Sequence, residues 1–145
     1  MAVVEYTLRR QFMIRVQHGS DLVQFLVDTA KNKELNTANF MAIGALKDAR
    51  LGYYDQTSQE YEEWNVESPH EIVNCTGNIS LKEGEPFVHA HVVLADRDGS
   101  TKGGHLFEGT VFAAEVHLWE LAGPMLERKY DGVTGLSLWE VTDVS

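Results

Sequence analysis

The chain has 145 residues, 43% of them hydrophobic and 23% charged, which fits one globular domain over residues 1–145. Its 22 acidic residues against 12 basic ones give a net charge of −10. With no basic cluster to release counterions from phosphates, direct nucleic-acid binding and acidic membranes are excluded as expected partners. No apolar run reaches the ~18 residues of a membrane span, the start MAVVEYTLRR lacks a signal peptide's apolar core, and the single Cys75 suits a reducing compartment, so a cytoplasmic protein is expected.

Leu8 to Gln17 reads as the first strand, because Phe12, Ile14 and Val16 recur at a spacing of two. Gly19-Ser20-Asp21 offers a helix cap, and Leu22, Phe25, Leu26 and Ala30 then form one helical stripe, predicting a helix that ends near Glu34 or Leu35. Asn39 to Leu51 is strand-like with a bulge at Gly44, and Gly52 to Gln56 pairs with Glu60 to Trp64 around Thr57-Ser58. Glu71 to Ser80 and Thr110 to Leu121 are further strands. Pro124 to Tyr130 is expected as a short second helix or turn, and Leu136 to Val141 as a closing strand. The expected class is α+β: a mainly antiparallel β-sheet with one main helix and a short second helix, in a single domain.

Between Pro86 and Gly109 the sequence reads PFVHAHVVLADRDGSTKGGHLFEG, which holds three of the six histidines. In a strand His89 and His91 point to one face, as the His-x-His pairs of sheet-borne metal sites do. The position of His105 depends on the turn. A two-residue Asp98-Gly99 turn pairs His105 with Val92 and sends it to the other face. A three-residue Arg97-Asp98-Gly99 loop, closed by Gly99 in the left-handed conformation, pairs His105 with His91. In that register His89, His91 and His105 can hold one divalent ion and leave a fourth position open. Zinc is the first choice, with iron, nickel and copper also compatible with imidazole.

Glu71, Glu108 and Glu115 are candidate carboxylates around such a site. His117 reads as a surface histidine, His18 and His70 as loop residues, and Cys75 as a buried, inert thiol. No nucleophile elbow, phosphate-binding loop or dinucleotide fingerprint is present. A cupin barrel also uses His-x-His but expects a Glu four or five residues on, where this chain has Ala95 and Asp96.

The succession Gly44-Ala45-Leu46, Ala49-Arg50-Leu51-Gly52-Tyr53-Tyr54-Asp55, Glu71-Ile72-Val73 and Gly77-Asn78-Ile79-Ser80, followed by PFVHAHVVLADRDG and GGHLFEGTV, resembles the PPC domain, the plant and prokaryote conserved domain. The resemblance runs from about Gln11 to Leu121. It implies an α+β fold, assembly as a homotrimer, and a metal, zinc first, on His89, His91 and His105. The Arg-Gly-Arg-Pro AT-hook of the plant members is absent. Of their Gly-Arg-Phe-Glu-Ile-Leu partner motif only Glu71 and Ile72 remain, so transcription-factor binding is not expected to carry over, and the resemblance is to the standalone prokaryotic type. The expected function is a metal-binding, homotrimeric binding or regulatory module. The alternative is a metal-dependent hydrolase or lyase, in which an ion held by the three histidines would activate a water against a small substrate.

Overall fold

The protein is described by a computed structural model over residues 3–142. In chain order the elements are β1 (Thr7–Val16), α1 (Leu22–Lys33), β2 (Ala38–Asp55), β3 (Glu60–Val66), β4 (His70–Lys82), β5 (Glu85–Ala95), β6 (Thr101–Ala122), β7 (Met125–Tyr130) and β8 (Ser137–Thr142). The eight strands form one sheet in the order β3-β2-β6-β5-β4-β7-β8, with β1 added on β6. β2 pairs with both β4 and β6, and β5 joins β4 to β6, so these four strands close a ring of pairings.

The α+β expectation is corrected here: the protein is mostly β, 67% strand against 9% helix, with one short helix. The segments expected as Asn39–Leu51 and Gly52–Gln56 are one strand of 18 residues. Thr110–Leu121 likewise belongs to a strand of 22 residues that already contains His105. The expected second helix at Pro124–Tyr130 is strand β7. Its residues Met, Leu, Glu, Arg and Lys all favour helix, but Leu126 and Arg128 are buried while Met125, Lys129 and Tyr130 are exposed. Packing of that alternating face overrides propensity. β7 touches β4 in parallel at Leu81 and Glu127, which makes the sheet mixed rather than antiparallel throughout.

Of the predicted helical stripe, Leu22, Leu26 and Ala30 are fully buried and pack with Phe40, Leu46, Ile79 and Leu118 in the core, while Phe25 lies half-buried against it. Phe12 and Ile14 of β1 lie half-buried against the same cluster. The register shifts between Ala42 and Gly44 against β4, where a bulge was expected. On β5, Val88, Ala90, Val92 and Leu94 are buried, so His89, His91 and Val93 face away from the core. At Gly77 a Cβ atom would stand 2.1 Å from the His89 carbonyl oxygen and 2.6 Å from the Phe40 ring, so glycine lets β4 and β5 meet over that ring.

The β7–β8 hairpin starts on β4 and ends at the opposite side of the ring. There the Tyr54 hydroxyl donates to the Thr134 carbonyl at 2.7 Å and the Gln59 amide to the Val133 carbonyl at 3.0 Å. It therefore spans the outer side of the strands that carry the three histidines.

Asp21 caps α1, accepting from the Gln24 amide at 2.7 Å, and its second oxygen accepts from the Gly109 amide at 2.7 Å. One carboxylate thus both ends the helix and fastens it to β6. Asp21→Ala is expected to cost about 1–3 kcal/mol in urea unfolding. Asp21→Asn, which keeps one acceptor, should cost less.

Candidate metal centre

The turn after β5 decides the site. The Asp96 amide donates to the Ser100 carbonyl at 2.9 Å and the Gly99 amide to the Asp96 carbonyl at 3.0 Å, with Gly99 at φ 81°. The Asp96 side chain also accepts from the Asp98 and Ser100 amides, at 3.0 and 2.9 Å. This is the three-residue loop of Arg97, Asp98 and Gly99. His91 stands opposite His105, and no bulge occurs at Gly103-Gly104 in the β5–β6 pairing.

His89, His91 and His105 are gathered on the outer face, each offering a ring nitrogen within 4.8 Å of the others. The Nε2 atoms of His89 and His91 are 3.2 Å apart. Two nitrogens each ~2.0–2.1 Å from a tetrahedral ion stand ~3.3 Å apart, so this pair already has the separation that a shared ion requires. His105 Nδ1 is buried without a hydrogen-bond partner, an orphaned polar atom of the kind that a bound cation would satisfy. The donor set therefore fits a divalent ion of the zinc class.

His105 is walled by aromatic rings: Phe107 lies 4.5 Å and Tyr61 5.2 Å away, centroid to centroid. Phe107 occupies the extra position where β6 slips against β2, between the Arg50–Glu108 and Leu51–Leu106 pairs. Next to His89 on β4 stands Asn78, whose side-chain oxygen accepts from Arg128 at 2.8 Å. A shallow cleft of about 320 Å³ opens beside the histidines, lined by Thr76, Gly77, Asn78, His89 and His91.

Burial pushes His89 and His105 from the usual 6.5 down to about 4, and the Arg128 charge acts in the same direction on both. Both imidazoles are thus neutral at physiological pH, the state in which histidine binds metal.

The other sequence candidates stand elsewhere. Glu108 holds Arg50, Glu115 faces Arg15 across the β1–β6 pair, and Glu71 sits opposite Ala95 at the far end of β4. His117 is half-buried and stacks on Trp119 at 4.2 Å. His18 is in a turn, its Nδ1 2.7 Å from the Phe112 carbonyl. His70 is corrected from a loop residue to the buried first residue of β4, its Nδ1 2.8 Å from the Ser68 carbonyl. Cys75 is fully buried, and its thiol is pushed up to about 12. Sequence reasoning missed Tyr61, Phe107, Asn78 and Arg128. Only the position of Asn78 opposite His89 follows from strand pairing.

Fold and cluster together define a small, mostly β protein that gathers three histidines on the outside of a closed ring of strands. The chain belongs to the Plants and Prokaryotes Conserved (PCC) domain family, whose sequence profile matches residues 4–122. A plant- and prokaryote-conserved protein from Pyrococcus horikoshii is 40% identical, with 99% of this chain and 100% of that one covered at a TM-score of 0.93. A metal-containing protein from Archaeoglobus fulgidus is 41% identical, with 97% and 99% covered at a TM-score of 0.93. The bifunctional protein GlmU of Synechococcus sp. strain JA-3-3Ab is 32% identical over 129 residues, which are 87% of this chain. The chain spans about a fifth of that protein's length. No described helix is long and apolar enough to cross a membrane.

The pH dependence of stability follows from the buried imidazoles. Unfolded, both protonate near 6.5; folded, they stay neutral to about 4. Between those values the unfolded chain binds more protons, so the stability present above 6.5 is lost as pH falls towards 4. Thermal unfolding of metal-free protein should show this loss, and a His89→Phe/His105→Phe variant should show a shallower one. Equal slopes in the two proteins would contradict the assignment.

Proposed function

We propose that this protein is a metal-binding module that holds one divalent ion, zinc first, on His89, His91 and His105, and that it works as a homotrimer in a binding or regulatory role. The observation that carries the reading is the convergence of three imidazoles, two of them with Nε2 atoms 3.2 Å apart. The metal-containing relative from Archaeoglobus fulgidus supports it. Self-association is supported by the apolar side chains that the outer face leaves exposed: Met13, Met41 and Ile43 on neighbouring strands, with Val73 and Val93 beyond them.

We favour a binding module over the hydrolase or lyase alternative for one reason. A carboxylate next to the ion would serve metal-assisted hydrolysis as general base. Among the described residues, the metal-ligand cluster contains three histidines and no carboxylate.

Metal analysis of wild type against His91→Ala tests the site. The expected result is one equivalent of metal per chain in wild type and its loss in the variant, while equal metal in both would reject the triad. Analytical ultracentrifugation of wild type is expected to give three chains, and a stable monomer would reject the trimer.

A further inference from the structure

Arg128 differs from the arginines that form ion pairs in the described structure. Arg9 and Arg10 share Glu120, and Arg50 holds Glu63 and Glu108. Arg128 is only 8% exposed and forms no ion pair among the described residues. Its partners are neutral: the Ser80 hydroxyl at 3.0 Å, the Ser137 carbonyl at 3.0 Å and the Asn78 amide oxygen at 2.8 Å. The rings of Phe87 and Trp139 lie 5.2 and 5.5 Å from its guanidinium carbon. A guanidinium carries five N–H groups, so these three bonds leave two of them without an acceptor among the described residues. A charge is seldom buried without an opposite one, because desolvating it costs several kcal/mol.

The place of this charge is informative. Arg128 reaches the His site through Asn78, which stands directly opposite His89 and lines the cleft beside His89 and His91. The cluster contributes three imidazoles and no carboxylate. With a divalent ion bound, the centre would carry an excess of about three positive charges, two from the ion and one from Arg128, and no protein anion in the cluster to balance them.

We propose that the site takes a small oxyanion as its ligand, drawn by the bound ion and by Arg128 together. This rests on the metal-binding reading above. The cleft of about 320 Å³ suits a molecule of few atoms, and a planar guanidinium recognises carboxylate and phosphate oxygens equally well. Arg128 is a positioning and charge-balancing residue in this scheme, and the imidazoles carry the ion.

The test uses the zinc-loaded full chain, wild type and Arg128→Gln, with metal content measured first. Calorimetric titrations follow with malonate, inorganic phosphate and the neutral isostere malonamide. Both proteins should hold metal, and wild type should bind malonate or phosphate about tenfold more tightly than the variant does, the loss expected when a nearby charge is removed. It should also prefer the anions over malonamide by about tenfold, since both the ion and the nearby charge favour an anion. The malonate and phosphate arms distinguish a carboxylate ligand from a phosphate one. Wild type that treats anion and malonamide alike would overturn the proposal whether or not the variant folds, as would equal anion affinity in the two proteins. Wild type without metal would overturn the metal reading instead, and the same titrations on metal-free protein would then judge Arg128 alone.

Discussion

The register of β5 against β6 is the constraint on which the site depends. Strand side chains alternate, so a slip of one residue would set His105 against Val92 and turn it from the outer face to the core. Asp96 and Gly99 prevent that slip. The Asp96 carboxylate gathers two amides of the turn, and Gly99 takes the positive φ that lets three residues close it. A metal-type cluster therefore hangs on two residues that are not ligands. Buried Val88, Ala90, Val92 and Leu94 hold the opposite face of β5 with the hydrophobic term, which makes the outward direction of His89 and His91 costly to reverse.

Burial tunes what register places. The slip of β6 at Phe107 brings an aromatic ring against His105, and glycine at position 52 leaves the room, since a Cβ there would stand 2.5 Å from the Phe107 ring. Tyr61 packs against both His105 and Phe107, at 5.2 and 5.1 Å between ring centroids. The β7–β8 hairpin, fastened at Tyr54 and Gln59, spans the same strands and carries Arg128 to Asn78. The surroundings of His89 and His105 are thus assembled from four distant parts of the chain: β3, the β6 bulge, β4 and the C-terminal hairpin.

That distribution explains what the sequence could and could not tell. The helix was legible because Leu22, Leu26 and Ala30 repeat at helical spacing and Asp21 caps them. The histidine cluster was legible because it spans one hairpin, where pairing is arithmetic about a turn. The fold class was not, since the long strands β2 and β6, whose shared register shifts at Lys47 and Phe107, read as shorter pieces. β7 was hidden by residues whose intrinsic preference is helical, and only burial of Leu126 and Arg128 on one face reveals it. Arg128 sat in Glu127-Arg128-Lys129, a run that looks like solvated charge. Neither its burial nor its neighbour Asn78, 50 positions away in sequence, leaves a local signal.

The overall charge of −10 and the proposed anion site are compatible because the charges concerned act over different distances. At physiological ionic strength the fields of exposed charges are screened within ~8 Å. The acidic surface therefore opposes the approach of an anion mainly at low salt, where it would slow association. A buried guanidinium, close enough to act on His89 and His105, is shielded from solvent ions and sets the local potential instead. An acidic protein gains selectivity from that arrangement. Polyanions, which must lie along the surface, meet repulsion over their whole length. A small anion would meet it only briefly before it reached the proposed site, beside which Arg128 stands.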